Sequence, residues 1–276
     1  MQGLVLRLRR SVNSSVRWRG PEFARLTPEV SQQVNDLLVE AGGLAPLFLR
    51  TDPSPWTGGV AIDGAAVQAA LELVHRMHTE SLPGGLASIH ATTQAGLKRA
   101  GTLSELAPMA DLLDGVERIS LSYSPDLYRQ DLQSIQQDLA PGREGGLAAA
   151  WAFCTNGDYR RARTSVLATR SGKAPSKELF ADVAAALEVL KRWTAVSDGQ
   201  SVPTRIEDST KHVAALRRLS RDGELLSEIL PSQRIGQLSP DELISLISGL
   251  EADQGTPIKL PKANQVERSL ETLGLG

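Results

Sequence analysis

The sequence predicts an all-α fold, a multi-helix bundle with at least one long antiparallel helical hairpin. Apolar residues recur at helical spacing through most of the 276 residues, and helix-start signals precede several of these stripes. Only Gly3–Arg9 alternates in the way that a β-strand does. Aromatic residues make up 4% of the chain, so we expect an aliphatic core.

Three predicted helix starts share one pattern, in which a hydroxyl residue is followed by proline and an acid. They are Thr27-Pro28-Glu29, Ser124-Pro125-Asp126 and Ser239-Pro240-Asp241. The hydroxyl can cap an unpaired N–H group, proline fits the first helical position, and the acid faces the positive end of the helix dipole. Each triplet therefore predicts a helix that begins at its proline.

Two predicted helices carry apolar stripes with steps of three and four residues, over 125–140 and 176–195. This spacing favours side-by-side packing as a hairpin or small bundle. Gly-Gly-Leu recurs at 42–44, 84–86 and 145–147, which we interpret as punctuation between helices. We predict an N-terminal helical lobe over 1–115 and a second lobe, with the hairpin and a basic helix, over 116–276; a single domain is the alternative.

Composition and charge exclude several classes of protein. The net charge of −2 argues against a uniformly basic nucleic-acid binder, although residues 1–20 hold five arginines and no acid, and 222–253 hold seven acids. The single cysteine, Cys154, excludes an internal disulfide, and its apolar neighbours predict a small buried side chain. No apolar run reaches the roughly 20 residues of a membrane helix, and Met1–Arg10 lacks a signal-peptide core, so we expect a cytoplasmic protein.

The motifs of common catalytic sites are incomplete. Around Gly172 and Lys173, a phosphate-binding loop would need glycine where Leu167 stands and a hydroxyl where Ala174 stands. No serine occupies a Gly-x-Ser-x-Gly turn. His75 and His78 share a helix, but their spacing of three and the lack of cysteine favour a structural pair over a metal site. We predict no catalytic residue, no metal and no cofactor, and no ATP hydrolysis by this chain alone.

The stretch 159–173 is the strongest candidate for a functional site, because it holds five cations and no acid. Guanidinium groups can bind phosphates bidentately, so we predict nucleic-acid contacts there. Positions 160, 163 and 170 fall near one helical face. The alternative is a solvated face that pairs with the acidic segment 222–253 or with another protein. The candidate residues are Arg160, Arg161, Arg163, Arg170 and Lys173.

A series of short motifs carries a resemblance to a known family. In chain order they are Leu49-Arg50-Thr51-Asp52-Pro53-Ser54-Pro55-Trp56, Leu127-Tyr128, Asp131-Leu132, Trp151, Tyr159-Arg160, Ala162-Arg163, Leu187, Trp193, Leu260-Pro261, Leu270 and Leu273-Gly274-Leu275. Over roughly 45–275 the chain resembles the long helical insertion of large bacterial superfamily 1 DNA/RNA helicases, which have AAA-type motor domains.

The resemblance implies a non-catalytic, all-helical accessory region of an ATP-dependent helicase. Such a region would contact DNA or RNA, the motor domains of the same or another chain, or both, and would gate the motor. It would be the inserted region alone, either as a fragment or as a free-standing relative. A helical protein–protein interaction scaffold that does not bind nucleic acid is the alternative.

Overall fold

The computed structural model describes residues 27–44, 54–56, 64–172, 175–203 and 206–272. Within these ranges the chain forms α-helices joined by turns, and it forms no β-strand, so the all-α prediction is confirmed. The candidate strand at Gly3–Arg9 lies outside the described residues. The helices are α1 (Pro28–Gly43), α2 (Gly64–Arg76), α3 (Leu82–Gln94), α4 (Leu106–Ser120), α5 (Leu132–Leu139), α6 (Gly146–Thr155), α7 (Gly157–Thr169), α8 (Ser176–Val196), α9 (Ser209–Ile229), α10 (Pro240–Ala252) and α11 (Gly255–Thr272).

Two of the three predicted helix starts are confirmed. Helix α1 begins at Pro28, and the Thr27 hydroxyl accepts a hydrogen bond from the Val30 amide at 3.4 Å. Helix α10 begins at Pro240. The remaining start produces only a 3-10 turn, Pro125–Arg129.

A break after this 3-10 turn divides the predicted helix over 125–140. Gln130 is extended, and α5 begins only at Leu132, where the Asp131 carboxylate accepts from the Ser134 amide at 3.1 Å. The Asp131 cap thus starts a new helix, α5, after the break. The long antiparallel hairpin is not confirmed, because α5 has eight residues beside the 21 of α8.

The chain divides into two compact units that are interleaved along the sequence. The first contains Met1–Thr79, Glu224–Ile235 and Asp241–Gly276, and the second contains Glu80–Gly223 and Gly236–Pro240. The predicted boundary after residue 115 falls inside α4. Composition could not reveal this division, because each unit is assembled from segments that are distant in sequence.

The first unit has a small aliphatic core where α1 packs against α11. Its buried residues are Ala41, Leu44, Ala263, Val266 and Leu270. Trp56 is fully buried in the same unit, and its indole N–H donates to the Leu250 carbonyl at 3.1 Å. This hydrogen bond satisfies the indole N–H, the one polar group of a side chain whose remaining surface is apolar and buried in the core.

The larger core lies in the second unit, where α8 packs against α4, α5 and α7. Its buried members include Leu127, Leu132, Leu139, Tyr159, Val166, Leu179 and Val183. In the same unit, Gly84 and Gly85 lie inside α3, so interpreting this pair as punctuation was wrong. A side chain at Gly85 would collide with Leu219 of α9, so glycine here permits close helix packing.

Gly142, just before α6, lies in close contact with the Tyr159 ring. A Cβ atom added to Gly142 would lie 2.5 Å from Cε2 of the buried Tyr159 ring. We expect Gly142→Ala to lower the free energy of unfolding by about 1–3 kcal/mol, since the ring must shift within a packed core. Urea denaturation monitored by circular dichroism measures this loss.

Gly236→Ala is the matched control, because no atom lies within 4 Å of a Cβ atom at that position. Equal destabilisation by the two substitutions would contradict the packing of Tyr159 on Gly142.

Candidate functional site

The most unusual surface of the second unit is α6, whose sequence is GLAAAWAFCT. Only Ala149 and Ala152 of this helix are buried. Leu147 is 90% exposed, Trp151 is 73% exposed and Phe153 is 46% exposed. We call the exposed residues Leu147, Ala148, Ala150, Trp151, Phe153 and Cys154 the α6 face. These exposed apolar side chains make α6 a candidate interaction surface.

Local sequence features hold α6 in this position. At the start of α6, Gly145 and Gly146 have positive φ angles of 72° and 54°, a conformation that glycine adopts readily. At the other end, Asn156 alone separates α6 from α7. The Asn156 side chain accepts from the amides of Asp158 and Tyr159 at 2.9 and 3.0 Å, and so caps α7. The two helices therefore meet at a tight, hydrogen-bonded corner.

A groove of about 650 Å³ runs along one side of α6. Its lining residues are Glu144, Gly145, Gly146, Ala149, Ala150, Phe153, Tyr159, Arg163, Pro175, Lys177 and Glu178. They come from α6 and the two residues before it, from α7, and from Pro175 and the first turn of α8. The groove thus combines apolar walls with charged side chains at its edges.

Three of the predicted arginines lie on α7 beside this groove or near the corner. Arg160 and Arg161 are exposed, and Arg161 forms an ion pair with Asp158, one turn earlier. Arg163 is half-buried, and its guanidinium carbon lies 5.6 Å from the centroid of the Phe153 ring, a cation–π arrangement. Only Arg163 of the three lines the groove.

Arg170 does not share this surface, so the prediction of a common face with positions 160 and 163 was wrong. Helix α7 ends at Thr169, and Arg170 is extended, with φ −96° and ψ 140°. Its side chain is 13% exposed and lies 3.7 Å from Glu178 and 3.6 Å from Asp182. These contacts make Arg170 a structural residue. The remaining predicted cation, Lys173, lies outside the described residues.

Arg170 belongs to a polar cluster that joins α7, α8 and the end of α4. Its guanidinium stacks 5.4 Å from the centroid of the Tyr123 ring. The Tyr123 hydroxyl donates to Asp182 at 2.7 Å. Burial, the hydrogen bond to Asp182 and the charge of that carboxylate raise the pKa of Tyr123 well above its ordinary value.

The ionic partners of Arg161 and Arg170 are neighbours in the same unit. Arg161 pairs with Asp158, and Arg170 pairs with Glu178 and Asp182. The partners therefore come from the same stretch of chain, because helix spacing and the α7–α8 contact bring them close.

Two other sequence-based expectations concern cysteine and histidine. Cys154 is exposed on the α6 face, so the prediction that it is buried was wrong. The reason is that α6 has apolar residues all round but buries only its two inner alanines. His75 Nδ1 lies 3.0 Å from Glu251 Oε1, and no three metal-ligating side chains come together among the described residues.

The α6 face was missed in the sequence, although a signal was present. An apolar helix without a polar side reads as a buried element. The flanking glycines and the single-residue corner at Asn156 are the features that leave it at the surface.

No family model, curated protein or solved structure matches the chain. The resemblance to the helicase insertion therefore stays a prediction. In the ranges that the structure describes, the helices are too short or too polar to cross a bilayer.

The Tyr123 cluster predicts a loss of stability at alkaline pH. In the unfolded chain Tyr123 ionises near its ordinary pKa of about 10, whereas the folded protein keeps the phenol protonated to higher pH. Its contribution is therefore fully present below pH 10 and is lost as the pH rises above that value. We expect a loss of about 1 kcal/mol from this group between pH 9 and pH 11.

Urea denaturation of the wild-type protein and Tyr123→Phe at both pH values measures the difference. The variant should lose less stability between pH 9 and pH 11 than the wild-type protein. Some loss should remain in both proteins, because burial raises the pKa of Tyr128 to about 12. An identical pH dependence in both proteins would contradict the role of Tyr123.

Proposed function

We propose that this chain is a non-catalytic helical module that binds a partner protein through the α6 face. The observation that carries the proposal is the 90% exposure of Leu147 and the 73% exposure of Trp151, one turn apart on the same helix. Tryptophan is enriched among the residues that contribute most to binding energy at protein interfaces. Burying this pair would remove a large apolar area from water.

The corner at Asn156 supports the same proposal, because a docking surface must be held before the partner arrives. Tyr159 and Ala162 fix α7 in the core, and one residue connects α7 to α6. A rigid apolar helix costs little conformational entropy when it binds. A helicase motor domain is the partner that the resemblance implies, and other helical proteins would fit the surface equally well.

The double variant Leu147→Ser/Trp151→Ser tests this function. A partner would first be captured on the wild-type chain from cells that express it, identified, purified and titrated by calorimetry. We expect the double variant to weaken binding at least about thirtyfold, since loss of a buried tryptophan at an interface typically costs 2 kcal/mol or more. Binding by the wild-type chain should persist in high salt and show a negative heat-capacity change.

Leu121→Ser is the control, because Leu121 is 75% exposed on a different helix end. Both sets of substitutions should change the free energy of unfolding by no more than about 0.5 kcal/mol, as surface changes usually do. Equal affinity of the double variant and the wild-type chain would reject the α6 face as the binding surface.

Nucleic-acid binding is the second candidate function, and one observation favours it. Arg160 and Arg161 are exposed in the first turn of α7, which follows α6 with its exposed Trp151. Cations beside an exposed aromatic ring are the elements of a single-strand binding surface, in which the ring stacks on a base. Arg170 is left out of this surface because it is paired within the protein.

The salt dependence of oligonucleotide binding tests the second candidate. With a labelled 20-mer, we expect a slope of log K against log [salt] of about −2 if three arginines contact phosphates. Replacing Arg160, Arg161 and Arg163 with alanine should remove most of that slope, whereas Arg129→Ala, which breaks an exposed pair with Asp126, should not. An unchanged slope in the triple variant would exclude this surface.

A further inference from the structure

We propose that the partner segment at this surface is an acidic amphipathic helix, which lies along α6 and places a side chain in the adjoining groove. This inference rests on the proposed function, because it specifies the chemistry of the partner that the α6 face binds. It is carried by two features of the described residues, the shape of the apolar surface and the excess of cations beside it.

The shape of the surface suits a helix. Leu147, Trp151 and Cys154 follow one another at intervals of four and three residues, so they form a ridge along the exposed side of α6. Ridges of this kind pack between the side chains of a second helix. Beside the ridge, Phe153 and Pro175 provide apolar groove walls for a side chain of the incoming helix. Helix-in-groove recognition uses anchors with this periodicity.

The acids at the groove are already paired. Glu144 lies 3.9 Å from Arg143, and Glu178 lies 3.7 Å from Arg170. Each carboxylate therefore has a guanidinium within 4 Å, although Arg170 also lies 3.6 Å from Asp182 and so serves two carboxylates.

Three cations beside α6 have no carboxylate partner among the described residues: Arg160, Arg163 and Lys177. Arg163 and Lys177 line the groove, and Arg160 lies at the corner near Gly157. Lys177 also lies in the first turn of α8, where the helix dipole is positive. With Arg143, Arg161 and Arg170 counted as well, six cations accompany four carboxylates (Glu144, Asp158, Glu178 and Asp182), so the surface is locally positive in a chain of net charge −2. Acidic residues flanking the apolar stripe of a partner helix would complement it.

The same charges disfavour a second copy of this chain as the occupant. A two-fold interface uses the same patch on both subunits, so Arg160, Arg163 and Lys177 would be present on both sides. A nucleic acid would complement the cations but would leave the aliphatic Leu147 without an apolar partner. The test below therefore includes an oligonucleotide, whose binding would argue against the acidic helix.

Three synthetic peptides of one length test the inference. They share one apolar stripe at helical spacing, and their polar positions carry glutamate, glutamine or lysine. Fluorescence anisotropy with the full chain measures each affinity in low and high salt. We expect the glutamate peptide to bind at least about tenfold more tightly than the lysine peptide in low salt, with a smaller ratio in high salt.

Charge reversal at two neighbouring arginines provides the matched comparison. Arg163→Glu should weaken binding of the glutamate peptide several-fold and strengthen that of the lysine peptide. Arg161→Glu makes the same change in charge, but Arg161 lies about 200° around α7 from Arg163 and pairs with Asp158. Arg161→Glu should therefore change little the ratio of the affinities of the glutamate and lysine peptides. Equal effects of the two variants, or equal affinities of the three peptides, would overturn the inference.

The outcomes separate this inference from the proposed function. If all three peptides bind equally and Leu147→Ser/Trp151→Ser abolishes binding, the docking function stands and the acidic partner is rejected. If a labelled single-stranded oligonucleotide binds and the glutamate peptide does not, the nucleic-acid candidate replaces the inference. Failure of every peptide to bind at millimolar concentration also rejects the acidic helix, whereas the purified partner still tests the function.

Discussion

The corner at Asn156 is the constraint on which the candidate surface depends. Helix α7 is fixed by core residues such as Tyr159 and Val166, which are almost fully buried. Because a single residue connects the two helices, the end of α6 must lie where α7 begins, and this restricts how α6 can pack. The Asn156 side chain satisfies two amides of α7, so the corner is also stable as a local structure. An apolar helix that would otherwise enter a core is held at the surface.

The core around α8 supplies the rigid base for this corner. Its polar cluster is unusual, because Arg170 is 13% exposed, stacks on Tyr123 and faces two carboxylates at ion-pair distances. Glu178 and Asp182 keep part of their surface in water, whereas the guanidinium is mostly buried, so losing both carboxylates would leave a nearly buried charge without compensation. Arg170 thereby connects the end of α7 to α8. Arg170, which the sequence suggests for nucleic-acid binding, is thus mostly buried beside Tyr123 and two carboxylates.

Apolar surface and charge have different roles in the proposed recognition. Leu147 and Trp151 would provide most of the affinity, since their burial removes apolar area from water without breaking contacts in the free protein. Arg160, Arg163 and Lys177 would select among partners and orient them, because charges at the rim of an interface act mainly on specificity and association rate. A module of this kind needs a rigid surface and has no need of a catalytic group.

The sequence by itself determined the all-α class, the helix starts at Pro28 and Pro240, and the lack of a complete phosphate loop. These are local properties, set by a few adjacent residues and by helical periodicity. Tertiary structure decided the rest. The hydrogen bond of Gln130 with Ser165, the close contact of Gly85 with Leu219 and the stacking of Arg170 on Tyr123 all join residues that are distant in sequence. An exposed apolar helix and a buried one have the same composition, and the contacts of α6 with α7 and with the turn Ala140–Gly142 determine which of its sides meet water.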